Sequence, residues 1–482
     1  MNKFISSIHD YFSPDLSWIP QQTIPQVTHV EKPLSHLLSG KLFLPYELPE
    51  ESLSFINAHF TKVPAIEKHW WGYRCRRCGN QKKYLFAYMP CGDQGKKCLY
   101  CRKCIVMGRV SECTPLYLFV PSVQWEKVKE ACVWKGRLTS FQADAAEKIN
   151  EVMAKGSARL LVWAVCGAGK TEMIFPGLAT AFAQGKRVCL ATPRTDVVRE
   201  LLPRFESAFP NVKIQALFGD SPVKQADAQF ILATTHQLLR FARAFDVMVI
   251  DEVDAFPYHA DVSLPFATRR AAKETAGIIY LTATPRPKQL KEIDSKKLPT
   301  VFVPRRFHGH PLPVPSFVGC FNLRSSLKQE RLPEKVKAWL DKRGVVTRQL
   351  LIFVPTISDA ALVERLLHAT FSSITAVHAS DPDRKEKIEL FRNKVYEVLV
   401  TTTILERGVT FPSVDVIILD SGHTVFDQAA LVQIAGRAGR SPTDPHGEVV
   451  FFHQGKTDAM EGAVEMIKRM NKRGRKIVDA LH

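Results

Sequence analysis

The sequence predicts an α/β protein of two consecutive parallel-sheet lobes behind a cysteine-rich N-terminal module. Three observations carry that prediction. Two series of short apolar runs, most of them separated by segments of helical character, span residues 160–281 and 350–452. A proline cluster (Pro304, Pro311, Pro313, Pro315) breaks the pattern between them. Seven of the 11 cysteines crowd between Cys75 and Cys113. Strands buried on both faces read as continuous apolar runs, and parallel pairing needs the helical crossovers that lie between them.

Composition bounds the rest. At 482 residues the chain is too long for one ordinary domain and suggests roughly three. Hydrophobic residues at 45% supply real cores and exclude a fibrous or disordered chain. No apolar run approaches the ~20 residues of a membrane helix, and residues 1–10 do not resemble a signal peptide, so a cytoplasmic protein is expected. The excess of 66 Lys+Arg over 48 Asp+Glu, a formal charge of +18, favours polyanionic partners, because each phosphate neutralised releases counterions.

In chain order, residues 1–70 hold proline, serine and short apolar patches, and are expected as a loosely structured arm. Residues 71–108 are the cysteine module, 109–135 a connector, 136–305 the first lobe, 306–325 a linker and 326–482 the second lobe. First-lobe strands are read at 160–164, 188–191, 230–233, 247–250 and 278–281; second-lobe strands at 350–354, 374–377, 398–401, 416–419 and 449–452. Proline lacks an N–H and disfavours helix before it, which marks the linker. The basic stretch 468–476 is a helical or frayed tail.

The strand at 160–164 runs into Ala164-Val165-Cys166-Gly167-Ala168-Gly169-Lys170-Thr171. Glycines permit a tight turn whose N–H groups point inward, and the helix start adds partial positive charge, which makes a phosphate cradle. Lys170 would reach the β- and γ-phosphates and Thr171 would ligate magnesium. Asp251-Glu252 follows the 247–250 strand, so Asp251 would hold the magnesium and Glu252 would orient and deprotonate the attacking water. Gln142, behind Leu138-Thr139, offers a donor and an acceptor to adenine, or else belongs to a helix start capped by Thr139. In Gln433-Ile-Ala-Gly436-Arg437-Ala-Gly439-Arg440, two arginines three apart would share a helical face and clamp charge developing on the γ-phosphate.

With these residues assembled, the chain resembles the superfamily 2 helicase-type ATPases over residues 136–455, which implies two RecA-like lobes. Further markers are Thr192-Pro-Arg194, Thr234-Thr235, Thr282-Ala-Thr284, Phe353-Val-Pro-Thr356 and the string from Thr401 to Gly408. The resemblance implies that Thr192, Arg194, Thr234, Thr282, Thr284 and Thr402 touch a nucleic-acid strand or couple it to hydrolysis, and that Gln433 and Gly408 belong to the ATP site. A narrower resemblance is to the ComFA family of late-competence ATPases of Gram-positive bacteria, on Cys101-Arg-Lys-Cys104 with the residues to Val110, Thr234 to Leu239, Asp251 to Pro257, Pro304 to Gly309, and Thr402 to Pro412. It implies an ATPase stimulated by single-stranded DNA, a ComFC-like phosphoribosyltransferase-related partner, and work at a DNA-uptake channel on the inner face of the membrane. Self-association stays open. A PriA-like restart helicase is the alternative within the superfamily, although that family carries its cysteines between the lobes. A nucleotide-dependent single-strand scaffold with little turnover is the alternative outside enzymes.

The cysteines offer two knuckles, Cys75-Arg-Arg-Cys78 and Cys101-Arg-Lys-Cys104, and four thiolates make a closed structural zinc site. Cys98-Leu-Tyr-Cys101 competes on spacing. The family resemblance favours Cys101 and Cys104, giving one zinc on Cys75, Cys78, Cys101 and Cys104. Loss of the zinc is expected to unfold the N-terminal segment in part while the ATPase lobes still fold. Trp70, Trp71, Tyr73, Arg74, Lys82, Lys83, Tyr84 and Tyr100 interleave the knuckles, either as a single-strand stacking surface or as the module's small core.

Overall fold

Two all-parallel sheets, of seven and six strands, organise the chain. The computed structural model describes residues 16–19, 32–48, 51, 53–91, 96–119, 123–219, 221, 227–343, 348–409 and 411–479. The first sheet runs in the order Ile214–Leu217, Phe230–Thr234, Val188–Thr192, Phe245–Ile250, Ala272–Thr282, Arg159–Ala164, Thr300–Val303. The second runs Ser316–Gly319, Val449–His453, Val414–Leu419, Gln349–Phe353, Val398–Thr401, Ile374–Val377. These are RecA-like lobes. Among the described residues no helix is long and apolar enough to cross a membrane.

Every strand read from the sequence lies in one of these sheets, because its residues are buried on both faces and leave a continuous apolar run. The three that the reading omitted, Ile214–Leu217, Thr300–Val303 and Ser316–Gly319, are edge strands with mixed burial. Ser316–Gly319 pairs with Val449–His453, so the second lobe begins inside the stretch read as linker, ten residues before 326.

The N-terminal region also differs from its reading. Much of 32–69, expected as a loose arm, is structured: helices Lys32–Leu38 and Leu53–His59, then strands Leu42–Phe43 and Phe60–Val63 on either side of Leu116–Phe119. Each apolar patch is too short to show a period, and its partner strand lies more than 50 residues away. A hairpin, Ile66–His69 with Gly72–Cys75, and a small sheet of Phe86–Cys91, Lys96–Cys101 and Val110–Ser111 complete the region.

This region does not stand apart from the first lobe. Cys75, Cys78, Cys101 and Cys104 share a hydrophobic core with Leu238, Ile250, Leu264 and Ala267. Arg270, fully buried, donates to the carbonyls of Leu238, Leu239 and Phe241 on its own lobe and of Arg76 and Arg77 on the cysteine module. Gly79 lets the chain approach so closely that a Cβ there would meet the Phe266 ring at 2.7 Å. The module's inner face is thus a wall of the first lobe.

The last helix, Asp458–Asp479, returns from the second lobe onto the first. Arg469 lies over Trp163 at 5.7 Å and Arg473 over Phe302 at 3.5 Å, two residues paired across neighbouring strands. The basic tail is thus helical and acts as a strap between lobes.

Candidate active site between the lobes

A cavity of about 470 Å³ opens where the carboxyl end of the Arg159–Ala164 strand faces the second lobe. Ala164 and Val165 are buried at the strand end, and Val165 N–H donates to Val303 O at 3.1 Å. The turn from Cys166 to Gly169 and the helix start at Lys170 and Thr171 line the cavity. Gly167 and Gly169 take φ of 78° and 71°, the left-handed region that glycine enters without steric cost. Gly169 also needs the room, since a Cβ would sit 2.4 Å from Gln142 Nε2.

Gln142 closes a capping box: its Oε1 accepts from Thr139 N–H at 2.8 Å, and its own N–H donates to the Thr139 hydroxyl. Its Nε2 donates to Ala168 O at 2.9 Å. The capping reading of this stretch is what the geometry shows; the Gln142 amide keeps a second donor hydrogen and further lone pairs beyond these bonds.

Lys170 Nζ lies 4.0 Å from Asp251 Oδ1. Burial works against the ammonium, but Asp251 and Glu252 outweigh it and hold the lysine above its ordinary pKa. Burial and, less strongly, Glu252 push the Asp251 carboxyl up to about 6 against the pull of Lys170. Glu252 takes φ of 52°, a conformation that costs a non-glycine residue roughly 1–3 kcal/mol, and its buried Oε2 has no hydrogen-bond partner among the described residues. Strain and an unsatisfied oxygen on one carboxylate mark a functional position.

The second lobe supplies the opposite wall. Arg437, 1% exposed, donates from Nε to Glu406 O at 3.2 Å, and its Nη1 has no hydrogen-bond partner among the described residues. The Gln428–Ala435 helix ends before the pair, so Arg437 and Arg440 sit in the turn that follows it and not on the shared helical face expected from their spacing; Arg440 donates from Nε to Gly436 O at 3.1 Å. Burial, and for Arg437 also the neighbouring Arg440, lowers the pKa of both. Gln433 Oε1 accepts from the Cys166 thiol at 3.0 Å, while Gly408, at φ 75°, also lines the cavity.

Three contributors were not singled out from the sequence. Arg407 pairs with Asp254 through Nη2 and approaches Glu252 Oε2 at 3.7 Å. Asp254, wholly buried, also accepts from the Thr282 hydroxyl at 2.6 Å and from the Thr284 hydroxyl. Burial alone would raise the Asp254 pKa, but Arg407 and both threonines hold it well below the carboxylate range. The third is Arg306: 1% exposed, it donates to Gly439 O, and its Nε and Nη2 have no partner among the described residues. Its neighbour Phe307 donates N–H to Gly167 O at 3.0 Å. The available signals were a charged residue beside a cavity glycine, at Arg407-Gly408, and paired arginines inside a proline-rich passage, at Arg305-Arg306.

The residues expected along a nucleic-acid path fall into two groups. Thr192 and Thr234 stand side by side at the carboxyl ends of neighbouring strands, and Thr402 follows the Val398–Thr401 strand. All three are buried, and Thr192 Oγ1 has no partner among the described residues. Arg194 is partly exposed and bridges the lobes, donating to Ile404 O at 3.3 Å and Glu406 Oε1 at 3.1 Å. Thr282 and Thr284 instead turn inward onto Asp254, close in sequence to Asp251 and Glu252.

At the other end of the molecule, the sulfurs of Cys75, Cys78, Cys101 and Cys104 all lie within 4.8 Å of one another, and all four residues are buried. Cys75–Cys104 is 3.8 Å and Cys78–Cys101 3.6 Å, near the edge of about 3.8 Å that a tetrahedron of Zn–S bonds requires. The donor set and its spacing fit zinc. Cys98 points elsewhere, beside Cys91 and Cys113, so the competing knuckle is not assembled. Trp70, 90% exposed, and Tyr84, 68% exposed, are not the module's core; Trp71 stacks on His69 at 4.6 Å.

Comparisons with known proteins agree with this geometry. Residues 26–118 match the family model of the competence protein ComFA N-terminal domain, 135–287 that of the type III restriction enzyme res subunit, and 333–442 the helicase conserved C-terminal domain. Competence protein ComFA of Bacillus subtilis is 43% identical over 445 residues, covering 92% of this chain and 94% of its own. That of Streptococcus pneumoniae is 38% identical, covering 90% and 97%. Among solved structures, the Mycobacterium smegmatis helicase Lhr bound to ssDNA and AMP-PNP aligns with TM-score 0.51 at 21% identity, over 70% of this chain and 48% of that one. Saccharomyces cerevisiae Dbp5 bound to RNA and ADP BeF3 aligns with TM-score 0.50 at 17% identity, over 69% and 91%. At such identities the likeness is one of fold.

Proposed function

This chain belongs to the ComFA family of competence proteins, a helicase-like ATPase, and we propose that it is an ATP-driven motor on single-stranded DNA that serves DNA uptake. The observation that carries the reading is the cavity itself, walled by Lys170, Asp251 and Glu252 on one lobe and by Arg437 and Arg440 on the other. A site divided in this way is complete only when the lobes are together, so nucleotide binding favours closure and product release favours opening.

In this reading the turn from Cys166 to Gly169 cradles the phosphates, Lys170 neutralises them, and Thr171 with Asp251 would hold a magnesium that supplies further positive charge there. Glu252 accepts the proton of the attacking water. Arg437 and Arg440, with Arg306 as a third guanidinium, face the charge that develops on the γ-phosphate. Gln142 reads adenine.

Coupling to the strand runs through Asp254. It is held by Thr282 and Thr284 from its own lobe and by Arg407 from the other, and Arg407 also faces Glu252. A strand gripped at Thr192, Arg194, Thr234 and Thr402 would therefore bear on the group that activates water. Contacts of this kind hold a backbone without reading bases.

Cys75, Cys78, Cys101 and Cys104 would hold one structural zinc that braces the wall of the first lobe. A ComFC-like partner, an uptake channel at the inner face of the membrane and self-association complete the proposal. A restart helicase is set aside, since the cysteine module precedes both lobes and the ComFA relatives align over nine-tenths of the chain. Displacement of streptavidin from one biotinylated end of a single strand, with ATP and with a non-hydrolysable analogue, tests the motor. Displacement only with ATP supports it, and none in either case removes translocation.

A further inference from the structure

We propose that Cys91, Cys98 and Cys113 form a second zinc site, an open three-thiolate centre on the face of the small sheet opposite the four-cysteine cluster. Strand register gathers the first two. Met89 stands opposite Cys98, and Cys91 opposite Lys96. Side chains alternate along a strand, so Cys91, two beyond Met89, shares the face of Cys98. Cys101, three beyond Cys98, takes the other face and joins the cluster of four. Val110–Ser111 pairs with the same central strand, and the turn after it brings in Cys113. The three sulfurs lie within 4.8 Å of one another, those of Cys98 and Cys113 in direct contact.

A crosslink between Cys98 and Cys113 would use two of these sulfurs and leave the third thiol at the same point unexplained. Three thiolates together are the donor set of a thiophilic d10 cation, whose charge offsets their mutual repulsion. A tetrahedral zinc holds sulfurs about 3.8 Å apart, which Cys98 and Cys113 reach by side-chain rotation. The four-cysteine cluster is buried throughout, whereas here Cys98 is buried, Cys91 half-buried and Cys113 exposed. One coordination position therefore faces solvent, and this zinc exchanges faster than the enclosed one. The inference does not depend on the motor reading.

Zinc and free thiols are measured on full-length protein purified under reducing conditions, for wild type, Cys91→Ser and Cys113→Ser. Two zinc equivalents are expected in wild type and one in each variant, with a chelator stripping the first equivalent much faster than the second. Both positions lie at the accessible side of the sheet, so ATP turnover should be unchanged, and the two variants check each other for folding. Should the four-cysteine cluster alone lack metal, wild type would hold one equivalent and both variants none. A wild-type zinc content that neither variant lowers overturns the proposal. So does a count of nine thiols in denatured protein prepared in parallel without reductant, with that same unchanged zinc, which would make Cys98–Cys113 a crosslink.

Discussion

The thiol of Cys166 in the phosphate turn donates to the Gln433 side-chain oxygen of the second lobe at 3.0 Å, so the nucleotide cradle and the arginine segment touch directly. The closeness depends on Gly436, where a Cβ would stand 2.4 Å from Cys166 Cβ. Gly436 has a helical φ of −66°, so its conformation does not call for glycine; the neighbouring lobe does.

Gly436→Ala should therefore fold normally and keep ATP binding within about threefold, yet lose at least about tenfold in turnover, because the lobes cannot meet. Cys166→Gly in the same chain removes the facing Cβ and should restore part of the rate. Thermal unfolding and steady-state turnover of the single and double variants check this; wild-type turnover in Gly436→Ala would show that this contact does not limit closure.

Lys170→Ala should abolish turnover and weaken ATP binding, whereas Glu252→Gln should bind ATP and retain it unhydrolysed. In the proposed function the two residues divide phosphate neutralisation from water activation. Filter binding beside a turnover assay separates them, and wild-type turnover in Glu252→Gln would remove the base assignment.

Arg407→Gln leaves Asp254 charged and buried without its cation. Breaking a buried pair from one side costs about 3–5 kcal/mol, so a clear fall in unfolding temperature is expected together with loss of turnover. Asp254→Asn combined with Arg407→Gln should recover stability but not activity. If the double variant is no more stable than the single, the two charges are not coupled in the way their contact indicates.

Much of this was legible in the sequence, and the reason is physical. Strands such as 160–164 and 416–419 are apolar on both faces, the phosphate turn and Asp251-Glu252 each stand at a strand end, and the two arginines follow the end of the Gln428–Ala435 helix, so the chemistry of each is local. Arg306, Arg407 and Asp254 were not singled out because their roles depend on partners far along the chain: Asp254 meets Arg407 across 153 residues. The N-terminal strands failed for the same reason, since Leu42–Phe43 becomes a strand only on Leu116–Phe119.

Asp251 gives the site a pH dependence. With its pKa raised to about 6, the folded state binds a proton that the unfolded chain, at 3.8, has already lost. This group's contribution to stability is thus fully present below about pH 4 and is lost as pH rises through about 6. Magnesium needs the carboxylate, so its affinity should fall as pH drops below about 6, with proton release on binding near that pH. Calorimetric magnesium–nucleotide titrations in buffers of different ionisation enthalpy measure that release, which Asp251→Asn should remove.

The most direct measurement of the central claim is ATP turnover at fixed salt with poly-dT, poly-U and blunt duplex DNA. Several-fold stimulation by poly-dT is expected, with little effect of duplex, slight sequence preference and steep loss as salt rises, because the proposed contacts are to backbone phosphates, on a chain of charge +18. Stimulation by poly-U alone, or by duplex as strongly as by poly-dT, would contradict a motor that draws in single-stranded DNA.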